Sequence, residues 1–474
     1  DRCTVVHTAI YETGHPVVTS NDHFKLVHTT DMIGSSMYDG VNPEITAFVC
    51  DLLRSTNRNG PYWIGETGTG AGPMYVFVGE KTEDSFCFSL PISGKTIKRQ
   101  SWGQIARGAK GILFWGWRPE LSTVETISLG FTERNGDWTE RCDALKEFTE
   151  LFRKYKKDLA YAMAPKSQAA ILYNLDSIFI EGLVSLGTSG SCGIKKQNRF
   201  YKDTLSLMGA YKLCMKNAIQ PDFINKERAI AGELNQYDLL IIPYSVSITS
   251  DLASAITSFI KAGGKVISDA MLGYFTNDAW GSEVCPPGGL DRVFSVNVKS
   301  DYCPIDEEDL VDSSHNYKNI AKVIAEHIEV KEGGNVLAEF PDGRPAAVSG
   351  IYGEGKTAYI GTLFFANAMW KYSADTNKMF KKLLEAVGYS SSIKLEGVSD
   401  EQMVELRLLE NQEKTFVFLL NHEQCPVNIQ CGLPIGGRKY AMDTKTGEKI
   451  AIKNGKFETE KHLEAEETVF YVLE

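Results

Sequence analysis

Long apolar runs are missing from this chain of 474 residues: none approaches the about 20 residues that a membrane-crossing helix requires. A helical membrane protein is thereby excluded. The opening segment, DRCTVVHTAIYETGH, also lacks the charged-then-apolar plan of a signal peptide. Paired metal ligands are absent too. The ten cysteines include no CxxC, and the eight histidines no HxH, HExxH or HxxxH; His23 and His28, five apart, do not share a helical face. No metal site and no cofactor is expected. The cysteines are scattered and read as buried free thiols of a reducing compartment, hence a cytoplasmic location. Positive charge is in short supply: 50 Lys and Arg stand against 61 Asp and Glu, a net charge of −11. The average field repels a phosphate backbone, so neither nucleic acid nor membrane is an expected partner.

What is present is the composition of a folded globular chain, 43% apolar and 23% charged, too long for one core. Three zones emerge. In residues 1–160, β-rich runs bounded by Gly, Pro or Asn (VVTSN at 17–21, DMIGSSMYDG at 31–40, GPYWIGETGTG at 60–70, KGILFWGWRP at 110–119) alternate with helical stretches such as 44–56 and a long final helix near 139–159. Such βα alternation with nearly continuous apolar strands predicts a parallel sheet covered on both faces. Residues 161–390 repeat the pattern as a doubly wound α/β domain, with strands at 169–174, 238–245, 263–270 and 356–362. A helix in SDLASAITSFIKAGG is capped by Ser250 or Asp251 and stopped at Gly263. Residues 391–474 lose the helices and alternate, as in TFVFLLNHE and ETVFYVLE, which predicts a small antiparallel β-sandwich.

Parallel α/β folds carry their chemistry at the carboxyl ends of the strands. Glu66 ends the run Tyr62–Gly65 and precedes Thr67-Gly68-Thr69-Gly70, an acid at a strand tip beside a loop open to a ligand; a solvated loop Glu is the plain alternative. Trp115, Trp117 and Arg118 end the next strand, where aromatic faces and a guanidinium fork suit a sugar ring and its hydroxyls. For Trp115, packing beneath helices is an equal alternative, because neighbours along a strand point to opposite faces.

The succession PVVTSN, DMIGSSMYDG, PYWIGETGTG and IARGAKGILFWGWRPELSTVE, with ARGAKGILFWGWR and Glu125 its most specific part, resembles glycoside hydrolase family 42, the β-galactosidases built on a TIM barrel. The likeness extends over essentially the whole chain. It implies the carboxyl-terminal half of a (β/α)8 barrel (strands 5 to 8), then an amidotransferase-like trimerisation domain, then a β domain. It further implies that Glu66 is the nucleophile of a retaining β-glycosidase acting on a galactoside or oligosaccharide, with Tyr38, Trp117 and Glu125 lining the sugar subsite. Arg118 and Asn21 complete the candidate set. Two positions depart from the family pattern: Ser128 stands where a His is usual, and Met74 beside Tyr75 where a Trp is usual. The exact sugar therefore stays open between galactoside, mannoside and arabinopyranoside, and an inactive carbohydrate-binding relative is the reading from another class.

Retaining hydrolysis needs two carboxyls about 5 to 5.5 Å apart. The family's acid/base Glu follows an Asn at the end of strand 4, and no such pair is found; Glu12 and Glu44 are available acids, but neither ends a strand. About 160 residues are also too few for a barrel that takes about 250. With Asp1 in place of Met, the expectation is a cut through a catalytic domain, with strands 1 to 4 and the acid/base on a further segment or chain. In the middle domain Asp269, Ala270 and Met271 occupy the elbow where an amidotransferase holds its cysteine, and Cys285 lies beyond, before Pro286 and Pro287. That domain is expected to be non-catalytic and to build a homotrimer.

Overall fold

The alternation of short apolar strands and amphipathic helices produces a four-stranded parallel sheet, β1 (Val5–Ala9), β2 (Met32–Met37), β3 (Tyr62–Gly68) and β4 (Ile112–Trp115), hydrogen-bonded in sequence order. The computed structural model describes residues 5–9, 21–37, 43–58, 60–69, 92–122, 130–191 and 202–474, with backbone alone at 5–9 and 184–191. VVTSN lies outside these residues except for Asn21. Successive parallel neighbours with helices between them are the repeating unit of a (β/α)8 barrel. The helices are α1 (Pro43–Thr56), α2 (Gly94–Ile105) and α3 (Glu140–Tyr161). Helix α1 opens on proline at its first position, where the missing N–H has no helical partner to lose. Helix α2 begins where Ser93 accepts from the Thr96 N–H and the Glu140 carboxylate accepts from the Gly94 N–H at 3.0 Å, so the first residue of α3 caps α2.

The middle of the chain, 167–391, forms a unit of its own. Its longer helices are α4 (Leu175–Ser191), α5 (Lys202–Lys216), α6 (Ser250–Lys261), α7 (Phe364–Trp370) and α8 (Ala374–Val387). Its parallel strands are β5 (Ala169–Tyr173), β6 (Asp222–Asn225), β7 (Leu239–Ile242) and β8 (Lys265–Ser268). Four more, β9 (Val296–Val311), β10 (Asn316–Val330), β11 (Asn335–Glu339) and β12 (Pro345–Tyr352), extend the sheet antiparallel before β13 (Gly355–Ile360) returns parallel to β8. The spatial order is β10-β9-β11-β12-β13-β8-β7-β5-β6. The antiparallel arm adds to the doubly wound core that the sequence predicts. Its polar residues and repeated register shifts between β9 and β10 hide the alternation that would reveal it. The cap of α6 is Thr249, whose side chain accepts from the Leu252 N–H, rather than Ser250 or Asp251; the positive φ of Gly263 (106°) lies just past the helix end, as expected.

The last segment carries β14 (Lys394–Glu396), β15 (Val404–Glu410), β16 (Thr415–Asn421), β17 (Val427–Pro434), β18 (Tyr440–Asp443), β19 (Lys449–Ala451), β20 (Lys456–Leu463) and β21 (Thr468–Leu473). Two antiparallel sheets, β15-β16-β21-β18-β19 and β14-β17-β20, enclose an apolar core that includes Val417, Leu419, Ile429 and Tyr471. Residues 392–474 and 1–166 together make one unit. The reason is visible in β16, which is buried on both faces: Val417 and Leu419 enter the sandwich, while Phe416, Phe418 and Leu420 pack on Trp102 and Ile105 of α2 and on Phe148 and Tyr155 of α3. Among the described residues no helix is long and apolar enough to cross a membrane.

Charges are buried in the same junction. Asp51 of α1 accepts from Arg54 Nε and from Arg407 Nη2 of β15, both at 2.8 Å, and Arg107, just past α2, pairs with Glu405. Glu405 Oε2 also meets His422 Nε2 at 3.1 Å, and His422 Nδ1 lies 3.0 Å from Arg99 Nη1. A guanidinium only donates, so Nδ1 must accept and Nε2 must carry the proton. Burial, reinforced by the Arg99 charge, holds the His422 pKa below the ordinary imidazole value despite the pull of Glu405. Protonation would set an N–H against Arg99. The folded state thus prefers the neutral ring, and its contribution is complete above the unfolded value of about 6.5 and lost as pH falls below it. His422→Gln keeps one acceptor and one donor but cannot titrate. The expected result is a shallower decline of Tm between pH 7 and 5 than in the parent, read by thermal melts across that range.

Candidate active site

Register decides which way Glu66 points. Ser35 lies opposite Ile64, but the next residue, Ser36, lies opposite Glu66; on the other edge Ile64 faces Ile112 while Thr67 faces Phe114. Strand β3 therefore carries one extra residue at Gly65 relative to both neighbours, a β-bulge. In an unbroken strand Glu66 would share the face of Tyr62 and Ile64, which is fully buried. The bulge moves it to the face of Trp63, because a one-residue shift exchanges the two sides of a strand. Two contacts agree with this. Ser36 Oγ donates to Glu66 Oε2 at 3.2 Å, and a Cβ built on Gly34, on the same side of β2 as Ser36, would lie 2.1 Å from Trp63 Nε1.

The opposite face is apolar and covered: Phe114 packs with Ile97, Phe131 and Cys142. On the Glu66 face of β4, Leu113 is 50% and Trp115 39% exposed. Trp115 thus shares its face with Glu66 rather than packing beneath the helices. The peptide after Trp115 is cis, and buried Thr69 donates to both Trp115 O (3.0 Å) and Gly116 O (2.9 Å), tying the tip of β3 to that of β4. The site side of the sheet therefore presents a carboxylate, a hydroxyl that orients it and an indole. Such a group can hold a polar ring against an aromatic face and set a carboxylate beside it.

The other candidates fall as follows. Trp117 lies against Phe131 and edge-on to Trp138, ring centroids 6.0 and 6.2 Å away. Arg118 donates from Nε to Arg134 O at 2.8 Å. Asn21 is half-buried just ahead of a short helical turn, His23–Leu26, capped by Asp22. Glu44 lies in the first turn of α1, where a carboxylate complements the helix dipole. Tyr38, Glu125, Glu12, Met74, Tyr75 and Ser128 lie outside the described residues. Residue patterns alone pass over Ser36 and Thr69; their signal is a hydroxyl at or just past a strand's carboxyl end, which becomes specific only once the register is known. Among the described residues no three His, Cys, Asp or Glu side chains gather as metal ligands.

A family model described as beta-galactosidase, that of glycoside hydrolase family 42, matches residues 2–157, and one described as beta-galactosidase trimerisation domain matches residues 191–393. The chain belongs to glycoside hydrolase family 42. Beta-galactosidase LacZ of Heyndrickxia coagulans is 24% identical over 328 residues, 68% of this chain and 45% of that protein; YesZ of Bacillus subtilis is 22% identical over 355 residues, 73% and 49%. The chain spans about half the length of the curated relatives it matches. Among solved structures, the beta-galactosidase of Bacillus circulans sp. alkalophilus superposes with a TM-score of 0.76 at 15% identity, over 100% of this chain and 63% of that one. Gan42B, a family 42 beta-galactosidase of G. stearothermophilus, gives 0.75 at 17% identity, over 98% and 62%. These likenesses agree with the partial barrel, α/β and β-sandwich architecture.

In this family 42 chain the amidotransferase-like elbow is built without a thiol. Met271 takes a φ of 70° and donates its N–H to buried Glu326 at 2.8 Å, while Asp269 accepts from the N–H groups of Tyr244 (2.6 Å) and Phe365 (3.2 Å). Burial raises both carboxyls above their ordinary range, against the opposing pull of the backbone N–H groups they accept from. Burial also pushes the Cys285 thiol up to about 11, with Glu326 adding to the shift, whereas Cys303 and Cys425 are exposed. At pH 8, iodoacetamide should modify Cys285 at least about tenfold more slowly than Cys303 or Cys425, as followed by peptide mass spectrometry.

Proposed function

We propose that the chain carries the nucleophile side of a retaining β-galactosidase, with Glu66 attacking the anomeric carbon of a terminal β-D-galactoside. The observation that carries this reading is the bulge that turns Glu66 onto the Ser36 and Trp115 face of the sheet in a family 42 chain. In the mechanism Glu66 forms a glycosyl-enzyme ester, and water then releases the sugar with retained configuration. Ser36, a positioning residue, holds one carboxylate oxygen so that the other is aimed at the sugar. Trp115 supplies an apolar wall, and Tyr38, Trp117, Arg118, Glu125 and Asn21 remain the candidates for the sugar hydroxyls. The second carboxyl, which protonates the leaving oxygen and later activates water, belongs in this reading to the remaining barrel strands on a segment or chain beyond this sequence. The half-exposed Leu113 and Trp115 support it, since the interior of a closed barrel is packed. The match to a trimerisation domain supports a homotrimer, and the scattered cysteines support a cytoplasmic location.

Ser128 and Met74 keep another exo-β-glycosidase in view, so the test is a panel of nitrophenyl β-galactoside, β-mannoside and α-arabinopyranoside with the complete protein. Turnover of the galactoside above the others is expected; a preference for another sugar would replace the substrate assignment, and turnover of none would favour a carbohydrate-binding relative. Glu66→Ala should lower turnover by roughly 10⁴-fold or more, and a mechanism-based 2-fluorosugar should label Glu66 alone. Label on a different carboxylate would overturn the nucleophile assignment. Ser36→Ala should lower kcat by about tenfold with little change in KM, because the oriented carboxylate matters most in the transition state.

A further inference from the structure

Backbone pairing between β3 and β4 ends at Gly68 and Trp115, one residue short of Thr69. The side chain of Thr69 continues the ladder where the backbone stops. Its hydroxyl, fully buried, reaches Trp115 O at 3.0 Å and Gly116 O at 2.9 Å. A hydroxyl carries a single proton, so two consecutive carbonyls are drawn to one donor, and the chain at 115–116 is fixed in direction as well as in distance from β3. The same segment is also held from elsewhere. Gly116 O accepts from the Phe131 N–H (3.3 Å), Trp117 O accepts from the Thr132 N–H (3.1 Å) and hydroxyl (3.3 Å), and Arg118 donates to Arg134 O. The turn at 130–134 is fastened to the start of α3, since Phe131 O accepts from the Thr139 hydroxyl and Gly130 O from Arg141 Nε at 3.1 Å. Residues 115–118 are therefore held by two anchors, β3 through Thr69 and α3 through the turn.

Glu66 lies on the first of these anchors, three residues before Thr69, while the partly exposed rings of Trp115 and Trp117 lie on the segment between the two. In the first chemical step a Glu66 oxygen bonds to the anomeric carbon as the bond to the leaving oxygen breaks, its electron pair departing with that oxygen. The attacking oxygen must start about 3–3.5 Å from the carbon, and a misplacement of about 1 Å costs about a hundredfold in rate. A sugar resting on the indole wall is carried by the tip of β4, whereas its nucleophile is carried by β3. Their separation is set where Thr69 joins the two strands. We propose that Thr69 is a positioning residue for this step: it touches neither sugar nor Glu66, and its hydroxyl holds the wall that bears the sugar in register with the nucleophile. The inference rests on the reading of Glu66 as nucleophile and adds to it a residue outside the sugar-facing set. Without the hydroxyl, Trp115 and Trp117 remain fastened to the turn and α3, so the sugar still binds but its anomeric carbon is no longer presented to Glu66.

The experiment uses the complete protein and the 2,4-dinitrophenyl β-glycoside of the sugar that the parent turns over fastest. Dinitrophenolate leaves without needing a proton, so the single-turnover rate reads attack by Glu66 and not the work of the general acid. Thr69→Val keeps the branched shape and removes the hydroxyl. Its glycosylation rate should fall at least about tenfold, while inhibition by the free sugar changes by less than about twofold. Thr69→Ser keeps the hydroxyl and should stay within about threefold of the parent. If the valine variant does not fold, Thr69→Ala removes the same hydroxyl and carries the same expectation. An unchanged rate in the hydroxyl-less variant, a serine variant as slow as it, or a loss of sugar binding as large as the loss of rate would each overturn the positioning role and leave Glu66 as the nucleophile. A parent that turns over none of these glycosides would overturn the nucleophile reading and this inference with it.

Discussion

Asp51 binds Arg54 of its own helix and Arg407 of a strand 356 positions later in the chain, both at 2.8 Å and fully out of water. Helix α1 carries that carboxylate inward, β15 brings a second cation to it, and Arg107 and Glu405 join the same buried group. Breaking a buried pair from one side costs about 3–5 kcal/mol, a large share of the stability of any domain. The apolar contacts of β16 with α2 and α3 supply the attraction between barrel segment and sandwich. The charges supply the registration, since hydrophobic surfaces can slide where hydrogen-bonded ions cannot.

Seen from this junction, the two ends of β3 have separate tasks. Its first residue, Tyr62, faces the buried cations, and its tip carries Glu66 on the other side of the sheet. A regular strand could not do this with the residues in their present spacing, because Tyr62 and Glu66 are an even number apart. The extra residue at Gly65 resolves the conflict: the apolar first half of the strand stays on the helix side while the acid turns away from it. Thr69 then fixes the tip of β3 to that of β4, so the indole of Trp115 and the carboxylate of Glu66 are held by one rigid edge.

Much of the architecture is legible in local pattern. The strands at 32–37, 62–68, 112–115 and 239–242 and the helices at 140–161 and 250–261 follow from apolar period and from turn or capping residues at their ends. Strands β9 and β10 are not legible, because a run such as SDYCPIDEEDLVD has the acidity of a loop and its pairing is interrupted by shifts. TFVFLL predicts a strand of a small antiparallel β domain; that both of its faces are buried is explained only by the helices that cover the second.

By itself the sequence determined the order of strands and helices outside the antiparallel arm, the presence of an acid at the tip of β3 and the likeness to family 42, because periodicity, turn chemistry and short motifs act over a few residues. Only the tertiary structure decided that Glu66 faces Ser36 and Trp115, that Trp117 rests on Phe131 and Trp138, that the elbow of the middle unit is braced by Glu326, and that residues 392–474 join 1–166. These depend on sheet register and on partners hundreds of positions apart. A shift of one residue reverses a side chain and a buried charge takes whichever partner the fold brings near, so neither leaves a local trace in the order of amino acids.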